Sequence, residues 1–174
     1  MKILHVWNIA GVASILAKYQ AKLLRWKTWV ITRRAYDRYG LTIYGEALNV
    51  SAKVFKFKTL LMSRKYDIIH VHSLDEIIPI LKLLYPKKKV IIHYHGTDTR
   101  GKWKERKNYW EKADRVLVST PDLLQGAPNH VIYLPNPVDT ELFKPMPELR
   151  RPRTALYFIK HQEGENNIRR FPLK

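Results

Sequence analysis

Val90-Ile91-Ile92-His93-Tyr94-His95-Gly96-Thr97-Asp98-Thr99-Arg100-Gly101 rises through β-branched residues to a histidine, a glycine and an aspartate, then passes into polar, glycine-bounded sequence. Apolar runs of this kind are the mark of parallel strands covered on both faces. In open α/β sheets the groups just beyond a strand's carboxyl end face the ligand crevice. The pattern therefore predicts His95, Gly96, Thr97 and Asp98 at a crevice, with Gly96 giving the backbone freedom to turn there.

Outward from this strand, strand and helix signals alternate. Ile3 to Trp7 reads as the first strand, followed by a turn over Asn8 to Gly11. Val12 to Leu24 is predicted as a helix with Val12, Ile15, Leu16, Tyr19 and Leu23 at core-facing spacing. Thr28 to Thr32 is a short strand, and Arg33 to Val50 is ambiguous. Val54 to Met62 ends a helix, Asp67 to His72 is a strand, and Asp75 to Leu84 is helical. Trp103 to Lys112 reads as a basic, aromatic helix, Arg115 to Ser119 as a strand, Pro121 to Leu124 as a helical turn and Val131 to Leu134 as a last strand. This order predicts an α/β protein with a doubly wound parallel sheet and helices on both faces. Strands are expected near Ile3, Trp29, Ile68, Val90 and Val116. Prolines 135, 137, 145, 147 and 152 then mark a linker, Thr154 to Lys160 resembles one more strand, and the remainder is aperiodic.

Composition bounds the function. The 174 residues suit one domain with a real core. Absence of cysteine excludes disulfide, zinc-finger and thiol chemistry, and is compatible with a reducing cytoplasm. No apolar run approaches the roughly 18 residues of a membrane span, and the start is too short in its apolar part for a signal peptide. A net charge of +17 favours anionic partners: nucleotides, sugar phosphates, lipid head groups or nucleic acid.

Two further clusters stand out. His70 and His72 share one strand face, as do His93 and His95, because strand side chains alternate. Neighbouring strands would let these imidazoles converge on zinc, but no carboxylate or cysteine joins them at matching spacing, so no metal is expected. Lys102 to Trp110 mixes cations with indoles, which suits either an anionic membrane surface or a helix that buries Trp103 and Trp110. Interleaved rings and cations also suit single-stranded nucleic acid, yet no recognition motif for it is present.

Five segments in order resemble the amino-terminal half of family-four glycosyltransferases of the GT-B fold. They are Lys2-Ile3-Leu4-His5-Val6 with Ala10-Gly11-Val12-Ala13; Tyr66-Asp67-Ile68-Ile69-His70-Val71-His72-Ser73; His95-Gly96-Thr97-Asp98; Ala113-Asp114-Arg115-Val116-Leu117-Val118-Ser119; and Leu134-Pro135-Asn136-Pro137-Val138-Asp139-Thr140-Glu141-Leu142-Phe143-Lys144-Pro145. The resemblance implies a Rossmann-like acceptor-binding domain over residues 1–145, with 146–174 a linker and the start of a donor domain or a tail. It implies retaining transfer from a nucleotide sugar as co-substrate, with no metal or other cofactor. By it, His95 is the catalytic cleft histidine. Gly11, Ser73 and Asp98 bind acceptor, and Gly96, Thr97 and Asn136 touch donor.

The sequence departs from that pattern in two places. The family's donor domain carries a glutamate-x7-glutamate motif, which these residues do not contain, so the chain is expected to be inactive without a donor domain. Family members often have two adjacent glycines where this chain has Ala10-Gly11. The alternative is a binding module for a phosphorylated or lipid-linked glycan. The expected partners are a glycan or lipid-linked acceptor and either a second copy, through an exchanged strand at Ala155 to Ile159, or a separate donor-domain protein. The expected location is the cytoplasm, at most peripheral to a membrane.

Overall fold

The computed structural model describes residues 1–149, and the strand expected at Thr154 to Lys160 lies outside the described residues. The chain divides into two compact units, Met1–Thr140 and one beginning at Glu141. In the second, the described residues include a single helical turn, Pro147–Leu149.

The first unit is one sheet of seven strands, all parallel. In chain order they are β1 (Lys2–Val6), β2 (Lys27–Arg33), β3 (Gly45–Leu48), β4 (Ile68–His72), β5 (Lys89–Tyr94), β6 (Arg115–Val118) and β7 (Ile132–Tyr133). Their spatial order is β3-β2-β1-β4-β5-β6-β7. Strand order reverses between β1 and β4, which opens the ligand crevice of a Rossmann-like sheet. The helices are α1 (Val12–Leu24), α2 (Ala52–Ser63), α3 (Ile78–Leu84) and the single turn α4 (Lys107–Trp110). Among the described residues, no helix is long and apolar enough to cross a membrane.

Side-chain alternation gives the sheet two unlike faces. Leu4, Val6, Ile69, Val71, Ile92 and Tyr94 point to an aliphatic face, closed by Phe55 of α2, Ile78 and Leu81 of α3, and Trp103 and Trp110. His5, His70, His72 and His93 point the other way, where α1 covers the sheet through Ala13 and Ala17. Those small side chains let the helix approach closely, and Gln20 reaches His5 across the gap.

The ambiguous stretch 33–50 resolves into a short helical turn at Arg34–Tyr36 and the edge strand β3. Gly45 is what admits β3. A Cβ there would stand 1.8 Å from the Val30 carbonyl oxygen of β2. Gly45→Ala is therefore expected to destabilise the protein by about 3 kcal/mol, at the upper end of overpacking effects. Urea unfolding monitored by circular dichroism checks this; a change below about 0.5 kcal/mol, the scale of an ordinary surface substitution, would show that β3 can shift freely.

The helix expected at Trp103 to Lys112 is shortened to α4, with turns on either side. The cause lies in the indoles. Trp103 Nε1 donates to the Leu123 carbonyl at 3.0 Å, and Trp110 Nε1 donates to the Trp103 carbonyl at 2.8 Å. In a helix the Trp103 carbonyl would receive the Lys107 N–H, which instead bonds Lys104. Both indoles are thus core residues, buried away from any membrane surface.

Candidate functional site

The site forms where β1, β4 and β5 end. Trp7 and Ser73, just past β1 and β4, both have left-handed backbone, with φ of 76° and 62°. A bulky residue in that region is a genuine outlier, and such strain gathers at functional sites. The turn has a local reason. Had β1 run on, Trp7 would share a face with His5; the left-handed turn instead carries it to the aliphatic side, 5.4 Å from Phe55 and 4.8 Å from Tyr36 between ring centres. Hydrogen bonds from Trp7 N to Ile31 O (2.8 Å) and from Ser73 N to His93 O (3.0 Å) hold both turns.

Beyond β5, Asp98 organises the loop. Its carboxylate accepts the N–H groups of His95 (2.9 Å), Gly96 (2.7 Å) and Thr99 (3.0 Å), and the Ser73 hydroxyl donates to it as well. Asp98 and Ser73 are thereby engaged with each other and with the main chain, and they fix the mouth of the crevice. The result is an open recess of about 500 Å³ lined by Ile9, Ser73, His95, Gly96, Thr97 and Asp98.

His95 stands at its inner wall. Its Nδ1 lies 3.2 Å from Asn136 Oδ1 and its Nε2 3.0 Å from His72 Nδ1. Burial lowers its pKa from the usual value, while Asp98 and Asn136 pull the other way. The recess thus brings together His95, Gly96, Thr97, Asp98 and Ser73, and Asn136 meets it through His95. Gly11 is not among them. It is buried in the turn before α1, with φ of 79° and Leu41 beside the position a Cβ would take. Asp139 is a staple: it accepts from Lys18 at 2.8 Å and from the Tyr19 hydroxyl at 3.0 Å on α1.

A second cavity of about 490 Å³ opens on the aliphatic side, lined by Trp7, Arg33, Tyr36, Phe55, Lys56 and Leu74, among others. Arg33 donates through Nε to the Val50 carbonyl at 3.1 Å, and its guanidinium lies 5.3 Å from the Tyr36 ring centre. Sequence reasoning passed over these residues. The rule that located His95 would have found them, since Trp7 follows β1 and Arg33 ends β2 at the same edge of the sheet.

The histidines of the covered face form a continuous array across β1, β4 and β5. Neighbouring rings lie 4.3–5.7 Å apart, at interplanar angles of 14–39°. Two triads, His5-His70-His72 and His72-His93-His95, have nitrogens within 4.8 Å of one another. Burial lowers the pKa of His5 to about 4 and, with the neighbouring imidazoles, holds His70 and His72 well down. Burial and His95 lower that of His93 to about 3. Three of these ring pairs are stacked and four tilted, and His5, His72 and His95 direct nitrogens at each other, an arrangement suited to hydrogen bonding along the row.

The sequence model of Glycosyltransferase Family 4 matches residues 12–142, three quarters of the chain. The chain belongs to glycosyltransferase family 4. The match spans the Asp98-clamped loop, His95 and Asn136, and so every residue lining the recess except Ile9. No curated protein matches the chain at a significant level. Among solved structures, TubZ of Clostridium botulinum phage c-st is similar at a TM-score of 0.44 and 12% identity, over 78% of this chain and 51% of that one. Its form truncated at the C-terminal tail gives 0.44 and 13%, over 76% and 52%. The family-4 chain thus spans about half the length of these structures.

Proposed function

We propose that the chain is the acceptor-side half of a retaining, nucleotide-sugar-dependent glycosyltransferase of the GT-B type, with His95 facing the transferred sugar. The observation that carries this reading is the placement of His95 by a clamped loop at the carboxyl edge of a family-4 sheet. An imidazole there can donate to or accept from sugar hydroxyls. The cavity at Trp7, Tyr36 and Arg33 is the seat we assign to the acceptor: aromatic faces suit the apolar side of a sugar ring, and a guanidinium suits an anionic group on it. The net charge of +17 supports an anionic ligand. No metal or cofactor enters this reading.

Transition-state stabilisation needs groups on both donor and acceptor sides. The 174 residues taken alone are therefore expected to transfer sugar negligibly from any of a panel of nucleotide sugars, with transfer expected only once a donor-domain partner is added. Robust transfer by the purified chain alone, lost in His95→Ala, would overturn the half-site reading. A stand-alone binding module would show saturable uptake of a phosphorylated glycan, with no turnover under any mixture.

A further inference from the structure

We propose that His5 and His72 are positioning residues that, with Gln20, set which hydrogen-bonding sense His95 offers to the crevice. The inference deepens the reading of His95 as the cleft histidine, but the arrangement itself stands on four contacts. Gln20 Oε1 is 2.8 Å from His5 Nε2, and His5 Nδ1 is 3.2 Å from His72 Nε2. His72 Nδ1 is 3.0 Å from His95 Nε2, and His95 Nδ1 is 3.2 Å from Asn136 Oδ1. The three rings are one file, joined nitrogen to nitrogen, from helix α1 through the sheet to the crevice.

A neutral imidazole has one N–H and one bare nitrogen. In such a file each ring's choice dictates the next. If His5 donates from Nε2 to Gln20, its bare Nδ1 must receive the Nε2 proton of His72, whose bare Nδ1 must receive the Nε2 proton of His95. All three are then Nε2–H tautomers, and His95 turns a bare Nδ1 toward Asn136. The reverse order makes all three Nδ1–H, and His95 becomes a donor there. A mixed file leaves two N–H groups or two lone pairs opposed in a buried space.

The two ends are unequal. Gln20 is partly buried and makes the shortest contact of the four, whereas Asn136 is exposed and its amide can turn to present NH2. The inner end therefore sets the polarity and the outer end follows it. Were both amides to offer oxygen, the file would need four protons on three rings. The surplus would sit on His95, the most accessible of them and the one beside Asp98. At neutral pH burial keeps His5 and His72 uncharged, so the uniform Nε2–H file is the state expected. His70 stacks on His72, and His93 lies tilted against His72 and His95, without either joining the file. Among the described residues, His70 Nε2 and both His93 nitrogens have no partner in good hydrogen-bond geometry. The consequence for the crevice is that His95 meets a ligand as an acceptor, and that this property is held from the far side of the sheet.

Long-range proton–nitrogen correlation spectra of the uniformly 15N-labelled chain at neutral pH test this without any sugar substrate, so the outcome is independent of whether the chain transfers sugar. Wild type is expected to show His5, His72 and His95 all as Nε2–H. Gln20→Leu leaves His5 Nε2 facing a hydrocarbon, where a bare nitrogen is tolerated better than an unmet N–H. It should move the His95 tautomer ratio about tenfold toward Nδ1–H, the weight of one unmet buried donor. Asn136→Leu, though it touches His95 directly, should leave all three as Nε2–H. Differing tautomers among the three rings in wild type would overturn the proposal. So would a His95 signal unmoved by Gln20→Leu in a chain that keeps its fold, and the wild-type pattern alone decides the matter if that variant does not fold.

Discussion

Acidification is expected to unfold the domain between about pH 5.5 and pH 4.5. Four buried histidines, His5, His70, His72 and His93, have pKa values well below the ordinary 6.5. Their folded values are depressed, so the stability they contribute is fully present above about pH 6.5. It is lost as the pH falls toward the folded values, about 4 for His5 and about 3 for His93, because only the unfolded chain binds protons in that window. Each such histidine removes about 1.4 kcal/mol per pH unit, so four remove roughly 5 kcal/mol per unit once the unfolded chain is protonated. Domains of this size hold roughly 5–15 kcal/mol in total. Asp75 acts in the opposite sense. Burial raises its pKa, so its ionisation opposes folding and its protonation on acidification gives some stability back. One carboxyl does not offset four imidazoles. Near-ultraviolet circular dichroism along a pH titration checks the result, and a midpoint below about pH 3.5 would mean that the histidines are hydrated in solution. His70→Leu should flatten the slope by about a quarter, since it removes one of four proton acceptors.

Removing the guanidinium of Arg106 should destabilise the protein by about 3 kcal/mol at neutral pH. Asp75 is buried at 1% exposure, receives Arg106 Nη1 at 2.9 Å on one oxygen, and receives the Tyr94 hydroxyl at 2.7 Å on the other. Arg106→Met leaves a carboxylate in the core with a single neutral donor, which is the expensive way to break a buried pair. Tyr94 is fixed by the same contact, and burial together with Asp75 raises its pKa, so the phenol stays a donor at every accessible pH. The loss should shrink as the pH falls and Asp75 takes up a proton, and Arg106→Met combined with Asp75→Asn should recover most of it. Denaturant midpoints at two pH values make the comparison. A loss under 1 kcal/mol, the range of a surface ion pair, would show that water reaches Asp75.

The parallel sheet was legible in the sequence because its strands are buried on both faces and read as apolar runs. The bounds of Val12–Leu24 were legible to the residue, but its buried face was not: Ala13, Ser14 and Ala17 are buried, whereas Leu23 of the expected core-facing set is exposed. The edge strand β3 was not, since Gly-Glu-Ala-Leu has no β-branched residue and exists through the fit of Gly45 against Val30. The crevice loop was found from one rule about strand ends, but the division of labour inside it was not. Asp98 is a sound ligand for a hydroxyl and an equally sound cap for three N–H groups, and only coordinates separate the two. Leu41, thirty residues away in sequence, lies beside Gly11, a packing contact that local sequence does not reveal. The alternation of His70 with His72 and of His93 with His95 was plain. Register alone brings His5 beside His70 and His72 beside His93.

The strand order bears on how the protein is made. β1 leaves the ribosome first, yet it sits inside the sheet, with β2 on one side and β4 on the other. Ile3 meets Ile68, so one edge of β1 stays unpaired until more than sixty further residues have been synthesised. At about 5–20 residues per second that interval lasts several seconds, far longer than local helix formation requires. Through it the nascent chain carries an apolar strand with a bare edge, and early native structure is confined to helices and to the β1, β2 and β3 side of the sheet. A chaperone that shields short apolar strands has its clearest opportunity there, before His72 arrives to close the histidine face.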